Sequence, residues 1–339
     1  MSRSQQGATS PDGRRVRWGV LSTANIATEK VIPGLRRSPR SEVLGIASRE
    51  GGRAAAAAQR LGIARAYGSY EALLADPDID AVYNPLPNHL HARWTIEAAR
   101  AGKHVLCEKP LAMTADEAQG MVDACREAGV LLMEAFMYRQ HPSWLAVRDV
   151  VASGRIGTIE AVDSWFSYFN DDPANIRNIR EAGGGALYDI GCYCVNLSRM
   201  LFGAEPVRVQ AAMRRDPALD VDVLTSGILE FPTGVATFTC STRTETDQRV
   251  HVYGTKGRID VEIPFNIPPD RPTKIFVTAG GDPPVAPATE TLTFAAADPY
   301  ACEADRFADA VLDGVPLPVQ PEDAVANLRV IEALFAAGA

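Results

Sequence analysis

Long apolar runs are missing from this chain. Nowhere in its 339 residues is there the stretch of roughly 20 apolar side chains that a membrane-crossing helix needs, so a helical membrane protein is excluded. The first fifteen residues, Met1 to Arg15, are polar and lack the apolar core of a secretion signal, and they read as a loose, unprocessed tail. Positive charge is also in short supply. The 34 Lys and Arg fall behind the 42 Asp and Glu, and a net charge of -8 argues against a general nucleic-acid binder and for an enzyme working in solution. The six cysteines (Cys107, Cys125, Cys192, Cys194, Cys240, Cys302) are scattered without the spacing of a small disulfide scaffold, which makes reduced thiols in the cytoplasm the simpler account. Cys192 and Cys194 are close, but no His or second Cys pair follows at zinc spacing, and no metal is expected.

What is present is the composition of a globular protein, too long for one ordinary core, so two domains are expected. The first half alternates short apolar strands with helical segments. Strands are predicted at 16–21, 42–47, 66–67, 81–83, 105–107 and 130–133, with helices between them. This is the mark of a doubly wound parallel sheet. The alternation stops near Glu134 to His141, which places a dinucleotide-binding domain at 16–136 and a second domain at 137–339.

Several stretches of the first half sit where a dinucleotide fold does its binding. The first strand runs into Ser22-Thr23-Ala24-Asn25-Ile26, the place of the G-x-G-x-x-G turn, with Ser22 and Ala24 at the first two glycine positions. Small residues still permit close approach to a pyrophosphate, and Ser22 and Thr23 add hydroxyl donors. The second strand ends in Ser48-Arg49, with Arg53 one helical turn beyond. An NAD site normally has an acidic residue here to bind the ribose diol, whereas a hydroxyl and a guanidinium suit a 2′-phosphate, so NADP(H) is preferred. The loop from Asn84 to His91 carries two prolines before Asn88, a candidate N-cap, and delivers His89 and His91 into a first helical turn. These histidines read as lining a pocket or satisfying local hydrogen bonds, since nothing nearby completes a metal set. Cys107-Glu108-Lys109-Pro110 closes the strand at 105–107. Its charged pair stands at the carboxyl end of a parallel strand, where ligands collect.

The second half reads as an α+β domain dominated by a sheet, with strands predicted at 156–169, 207–213, 223–231, 235–242, 249–253 and 258–263 and a hairpin turn at Pro232-Thr233-Gly234. Ahead of most of these lies a glycine run, Gly183 to Gly185, leading into a helix that reaches Leu201. Leu187, Ile190, Cys194, Leu197 and Leu201 form its apolar stripe, while Asp189, Tyr193 and Asn196 fall on another face, with Asp189 and Tyr193 four apart and able to share a substrate hydroxyl. Helices at 300–312 and 321–337 close the chain and are expected to pack back on the first domain. No chemistry is assigned to them.

Three of these pieces together, the Asn84 to His91 loop, Ala101-Gly102-Lys103-His104-Val105 running into Glu108-Lys109-Pro110, and Gly183 to Asn196 with its Asp189-x-Gly191-x-Tyr193 core, resemble the Gfo/Idh/MocA family of sugar and cyclitol oxidoreductases. The resemblance implies an N-terminal Rossmann domain and a C-terminal domain with a large open, mostly antiparallel sheet that often mediates homodimers or homotetramers. By the same resemblance Lys109 contacts both substrate and cofactor, Tyr193 takes the proton from the reacting hydroxyl, and Asp189 holds the substrate together with Arg139. It implies too that Asn84, Leu86, Asn88, His91, Glu108 and Lys109 line the cofactor. Ser48-Arg49 looks like the NADP-using branch. The expected activity is therefore hydride transfer between NADP and a sugar hydroxyl or carbonyl, foremost an aldose 1-dehydrogenase acting on a D-xylose-like substrate. A keto-sugar reductase is the alternative among enzymes, and a non-catalytic NADP-sensing regulator the alternative of another class.

Overall fold

The computed structural model describes residues 13–280 and 288–338. Of the tail expected at 1–15, residues 1–12 lie outside this range. The described chain divides into two units, one made of 13–137 with 298–325 and the other of 138–280 and 288–297 with 326–338. Residues 298–325, from the expected second domain, are thus grouped with the first unit.

The first unit runs β1 (Val16–Val20), α1 (Ile32–Arg37), β2 (Ser41–Ala47), α2 (Gly51–Leu61), β3 (Arg65–Tyr67), α3 (Tyr70–Leu74) and β4 (Ala81–Asn84). It continues with α4 (His91–Arg100), β5 (His104–Glu108), α5 (Ala115–Ala128) and β6 (Leu132–Ala135). All six strands are parallel, in the order β3-β2-β1-β4-β5-β6. That order reverses between β1 and β4, and the crevice beyond their carboxyl ends is the switch point where doubly wound sheets bind ligands. The strands read as nearly continuous apolar runs because helices cover both faces of such a sheet. Trp18 of β1 has no exposed surface. Its ring packs 5.3 Å from Phe307, and its Nε1 donates to Ser41 Oγ at 3.1 Å. Truncating such a ring to alanine costs about 3–5 kcal/mol.

Helix starts follow their caps. Ser69 accepts from Ala72 N before α3, and Thr114 accepts from Glu117 N before α5, each worth about 1 kcal/mol. Two expectations are corrected here. Asn88 does not cap α4: it opens a short 3-10 turn (Asn88–Leu90), and α4 begins at His91 behind Leu90 with no side-chain cap. The helix after β1 is likewise not uniformly α, since a π turn spans Ala27–Val31 before α1.

The second unit contains α6 (Pro142–Ala152), β7 (Ile159–Phe169), α7 (Cys192–Phe202), β8 (Arg208–Arg215), β9 (Asp222–Phe231), β10 (Gly234–Ser241) and β11 (Arg243–Gly254). After these come β12 (Gly257–Val261), β13 (Thr273–Ala279) and β14 (Thr289–Phe294). The eight strands form one sheet in the order β14-β13-β12-β11-β7-β10-β9-β8, antiparallel except where β7 lies parallel to β10. Pro232 and Thr233 form the expected tight turn, with Gly234 paired to Phe231. Strands β13 and β14 and helix α6 have no counterpart in the sequence reading. The approach to β13 is rich in proline, which locally signals loop. Its strand state comes from the β12 edge it pairs with, and Trp144 of α6 anchors that approach by donating to Pro264 O at 2.6 Å.

The chain ends with α8 (Pro299–Asp313), capped by Asp298 accepting from Tyr300 N, and α9 (Glu322–Ala337).

Candidate active site

In the first unit the turn after β1 is built around Ser22, whose hydroxyl accepts from Ala24 N at 3.0 Å. A side-chain bond thus shapes a bend that glycines otherwise permit. Residues 22–24 and Ile26 are half-buried, Asn25 is exposed, and the amides of Asn25 and Ile26 precede the bond from Thr28 N to Ala24 O. Amides so placed at a helix start suit an anion. At the end of β2, Ser48 is buried and its hydroxyl accepts from Glu50 N at 3.2 Å, while Arg49 and Arg53 are exposed. Arg53 forms an ion pair with Glu50 at 3.1 Å. Hydroxyl-lined turn, helix-start amides and an exposed guanidinium beyond the neighbouring strand together fit a dinucleotide.

The β4 loop is more inward-facing than its residue types suggest. Asn84 is fully buried, with its amide donating to His91 O and Thr95 Oγ1 and its carbonyl accepting from Leu86 N. His91 is fully buried as well, its ring nitrogens 2.9 Å from Pro110 O and 2.6 Å from Leu86 O. A neutral imidazole donates to only one of these. Burial outweighs the pull of both carbonyls and lowers the His91 pKa to about 4. This ring therefore ties the β4 loop to the loop after β5. Leu86 is buried, Asn88 half-buried and His89 exposed.

Glu108 and Lys109 stand at the carboxyl end of β5, both half-buried, and the Lys109–Pro110 peptide is cis. Tyr83 donates to Glu108 Oε1 at 2.5 Å, and Leu111 N donates to Glu134 Oε1 at 2.8 Å. Glu303 reaches the same region from α8 and is 2% exposed. Burial, then the neighbouring Glu108 and Glu134 carboxylates, push its pKa well above the ordinary carboxyl range. Tyr83 and Glu134 lie on strands and carry no signal in the sequence, whereas Glu303 is legible as an acidic residue at a core position of an amphipathic helix.

In the second unit, Asp189 lies in a π turn (Leu187–Gly191) that leads into α7. The extra residue of that turn breaks the 3.6 spacing on which the expected two-faced helix rests. Nearly all of Cys192 to Leu201 is buried, Tyr193 at 6% exposure and Asn196 at 0%. Asp189 accepts from Tyr168 Oη at 2.5 Å and from Arg177 Nε at 3.0 Å. Tyr168 and Arg177 lie outside the residues expected from sequence, because each is distant from Asp189 along the chain and neither stands in a motif. Burial first, and then the Asp189 charge, push the Tyr168 phenol upward, so it remains a donor. Tyr193 packs among Tyr138, Phe166 and Phe265. Asn196 Oδ1 accepts from Tyr138 Oη at 2.7 Å and from Arg139 Nη1 at 3.3 Å. Arg139 thus joins the polar group on α7.

A six-stranded sheet with this switch-point turn, and a second unit presenting Asp189 and Tyr193 from one helix, match known proteins over most of the chain. The family model described as "Oxidoreductase family, NAD-binding Rossmann fold" covers residues 16–136, and the "GFO/IDH/MocA C-terminal domain" covers 144–260. The chain belongs to the GFO/IDH/MocA oxidoreductases. Among its relatives in this family is D-xylose 1-dehydrogenase (NADP(+)) 2 of Haloferax volcanii, 42% identical over 320 residues that span 94% of this chain and 96% of the other. Two solved structures are also similar. KijD10, a 3-ketoreductase from Actinomadura kijaniata in complex with NADP and TDP-benzene, is 33% identical with a TM-score of 0.87, covering 96% of this chain and 98% of that one. The aldose-aldose oxidoreductase of Caulobacter crescentus, complexed with glycerol, is 29% identical with a TM-score of 0.88 and the same coverage. Like them, this GFO/IDH/MocA chain is an oxidoreductase with a Rossmann unit and a mostly antiparallel second sheet.

Proposed function

We propose that this oxidoreductase moves a hydride between NADP and a sugar, oxidising C1 of a D-xylose-like aldose in the cytoplasm. The observation that carries the reading is the polar group at the start of α7: a carboxylate held by Tyr168 and Arg177, and a phenol buried among aromatic rings. Oxidising a sugar hydroxyl requires a group to take the O–H proton and a cation to steady the negative charge left on oxygen. Tyr193 takes the proton, Lys109 supplies the cation, and Asp189, with Arg139 nearby on Asn196, orients the sugar hydroxyls.

When bound, NADP supplies the hydride acceptor, or the donor in the reverse direction. Ser22, Thr23, Ala24, Asn25 and Ile26 hold its pyrophosphate, and Ser48, Arg49 and Arg53 its 2′-phosphate. The carboxyl-end loops of β4 and β5 take the nicotinamide end through Leu86, Asn88, Glu108 and Lys109, while the fully buried Asn84 and His91 hold those loops in place from beneath. Similarity to the Haloferax enzyme supports NADP and an aldose. Likeness to the 3-ketoreductase favours a second reading, reduction of a keto sugar by the same residues. The outer face of the eight-stranded sheet, where Ile228, Val235 and Tyr253 are exposed, is proposed to pair two copies.

The test is a screen of aldoses, inositols and keto sugars with NADP and NAD, following reduced nicotinamide by absorbance, repeated on Tyr193→Phe and Lys109→Met. Each variant is expected to retain NADP binding and to lose hydride transfer by about a hundredfold or more, the loss typical of a missing acid-base or electrostatic group. Near-normal turnover in both rejects the assignment. Tight cofactor binding with no turnover of any sugar moves the reading to an NADP sensor.

A further inference from the structure

Asp222 opens β9 and is 1% exposed, yet no cation among the described residues bonds its carboxylate. Its Oδ2 accepts from Leu187 N at 2.8 Å and from Thr225 Oγ1 at 2.9 Å, while Oδ1 is sealed from solvent without a hydrogen-bond partner. Leu187 is the first residue of the π turn that carries Asp189. Gly185 presses on the other oxygen: its φ is +118°, and a Cβ there would stand 2.1 Å from Oδ1. Gly185 N in turn donates to Arg177 O at 2.9 Å, and Arg177 is the partner of Asp189. One buried carboxyl therefore touches the glycine run and the helix start, and through Gly185 it is tied to the loop that braces the candidate substrate carboxylate.

We propose that Asp222 is the positioning residue of this site, clamping Gly185 and the Leu187 amide against β9 so that Asp189 and Tyr193 are presented in one orientation. The inference rests on the role given above to those two residues. Ionised, Asp222 makes two charge-assisted bonds at a helix start, where the helix dipole favours an anion. Protonated, it holds the Leu187 amide more weakly. The groups facing it from the packed elements are Arg215 of β8, whose guanidinium is drawn to Asp220, and Cys240 of β10, whose thiol burial pushes up. Neither neutralises it. Burial raises the Asp222 pKa to about 6, within the range where a change of charge is measurable in the folded chain.

The test labels the tyrosine Cζ carbons with 13C in the full chain without cofactor, assigns Tyr168 and Tyr193 through their phenylalanine variants, and follows both signals from pH 5 to pH 8. Both are expected to move together with a midpoint near that of Asp222 and to stay flat in Asp222→Asn. Thr225→Val, which removes one donor to the carboxylate, is expected to move the midpoint upward by about half a pH unit. In turnover, Asp222→Asn is expected to lose about tenfold or more in kcat, with KM for NADP unchanged and the acid limb of the pH profile gone. Signals flat in the wild type, or titrating identically in Asp222→Asn, overturn the proposal. A chain whose tyrosines titrate as described but which turns over no sugar upholds the positioning role and rejects the sugar reading instead.

Discussion

Replacing Asp222 by asparagine is expected to change stability in a way that depends on pH. The carboxyl lies at about 6 in the folded chain against an ordinary value of 3.8. A raised acid pKa means that the folded state holds the proton more tightly, so its contribution is fully present below about pH 4 and is lost as pH rises through 6. The loss amounts to about 3 kcal/mol above pH 7, because each pKa unit is worth about 1.4 kcal/mol. Asparagine does not ionise, and its carbonyl can still accept from Leu187 N. Its NH2 enters the pocket where Oδ1 has no partner, a constant cost of about 1–3 kcal/mol that does not vary with pH. The stability of Asp222→Asn minus that of the wild type should therefore grow by about 3 kcal/mol between pH 4 and pH 7.5. Hydrogen exchange of β9 and α7 peptides under mild urea, at a series of pH values, measures this difference within the second unit alone. A difference that stays flat, or that shrinks as pH rises, refutes the reasoning. A buried charge kept at such a cost is what a site under functional demand would retain.

Three further outcomes are expected. Gly185→Ala must place a Cβ against Asp222 at a φ that side chains rarely adopt, and should destabilise the second unit by about 2–4 kcal/mol; a double-mutant cycle with Asp222→Ala should recover part of the loss, measured by urea midpoint. The buried His91, lowered to about 4, contributes stability that is complete above about pH 6.5 and lost as pH falls through 4, about 3 kcal/mol in all. Imidazole NMR should accordingly show a neutral ring at pH 5.5, and His91→Gln should flatten the acid limb of the stability curve; a charged ring at that pH counts against the burial argument. Arg49→Ala should raise KM for NADP by about tenfold to a hundredfold and leave KM for NAD within about twofold, as expected for the loss of one charge-assisted contact to a phosphate. Equal effects on both cofactors would remove Arg49 from phosphate recognition.

Much of the first unit is legible in the chain because its signals are local. Parallel strands buried on both faces read as short apolar runs, and residues at their carboxyl ends, Ser22, Ser48, Asn84 and Lys109, fall at the sheet's ligand-binding edge once the alternation is recognised. The strands β13 and β14 were not legible. Their residues follow a proline-rich approach, and only pairing, of β13 with β12 and of β14 with β13, makes them strands. The π turn at Leu187–Gly191 was hidden for a similar reason, since helical periodicity assumes the regular 3.6 spacing that this turn interrupts.

Amino-acid order by itself determined the kind of protein this is: a Rossmann unit followed by a sheet domain, with Lys109 at a strand end and Asp189 and Tyr193 on one helix, in the pattern of a sugar oxidoreductase. Tertiary structure alone decided what surrounds those residues. Tyr168 and Arg177 on Asp189, Tyr83 on Glu108, Glu303 beneath the β5 end and Asp222 under the helix start are brought in from distant segments. The reason is that spacing records only neighbours along the chain, whereas the desolvation that sets the charge of a buried carboxyl comes from every segment folded over it.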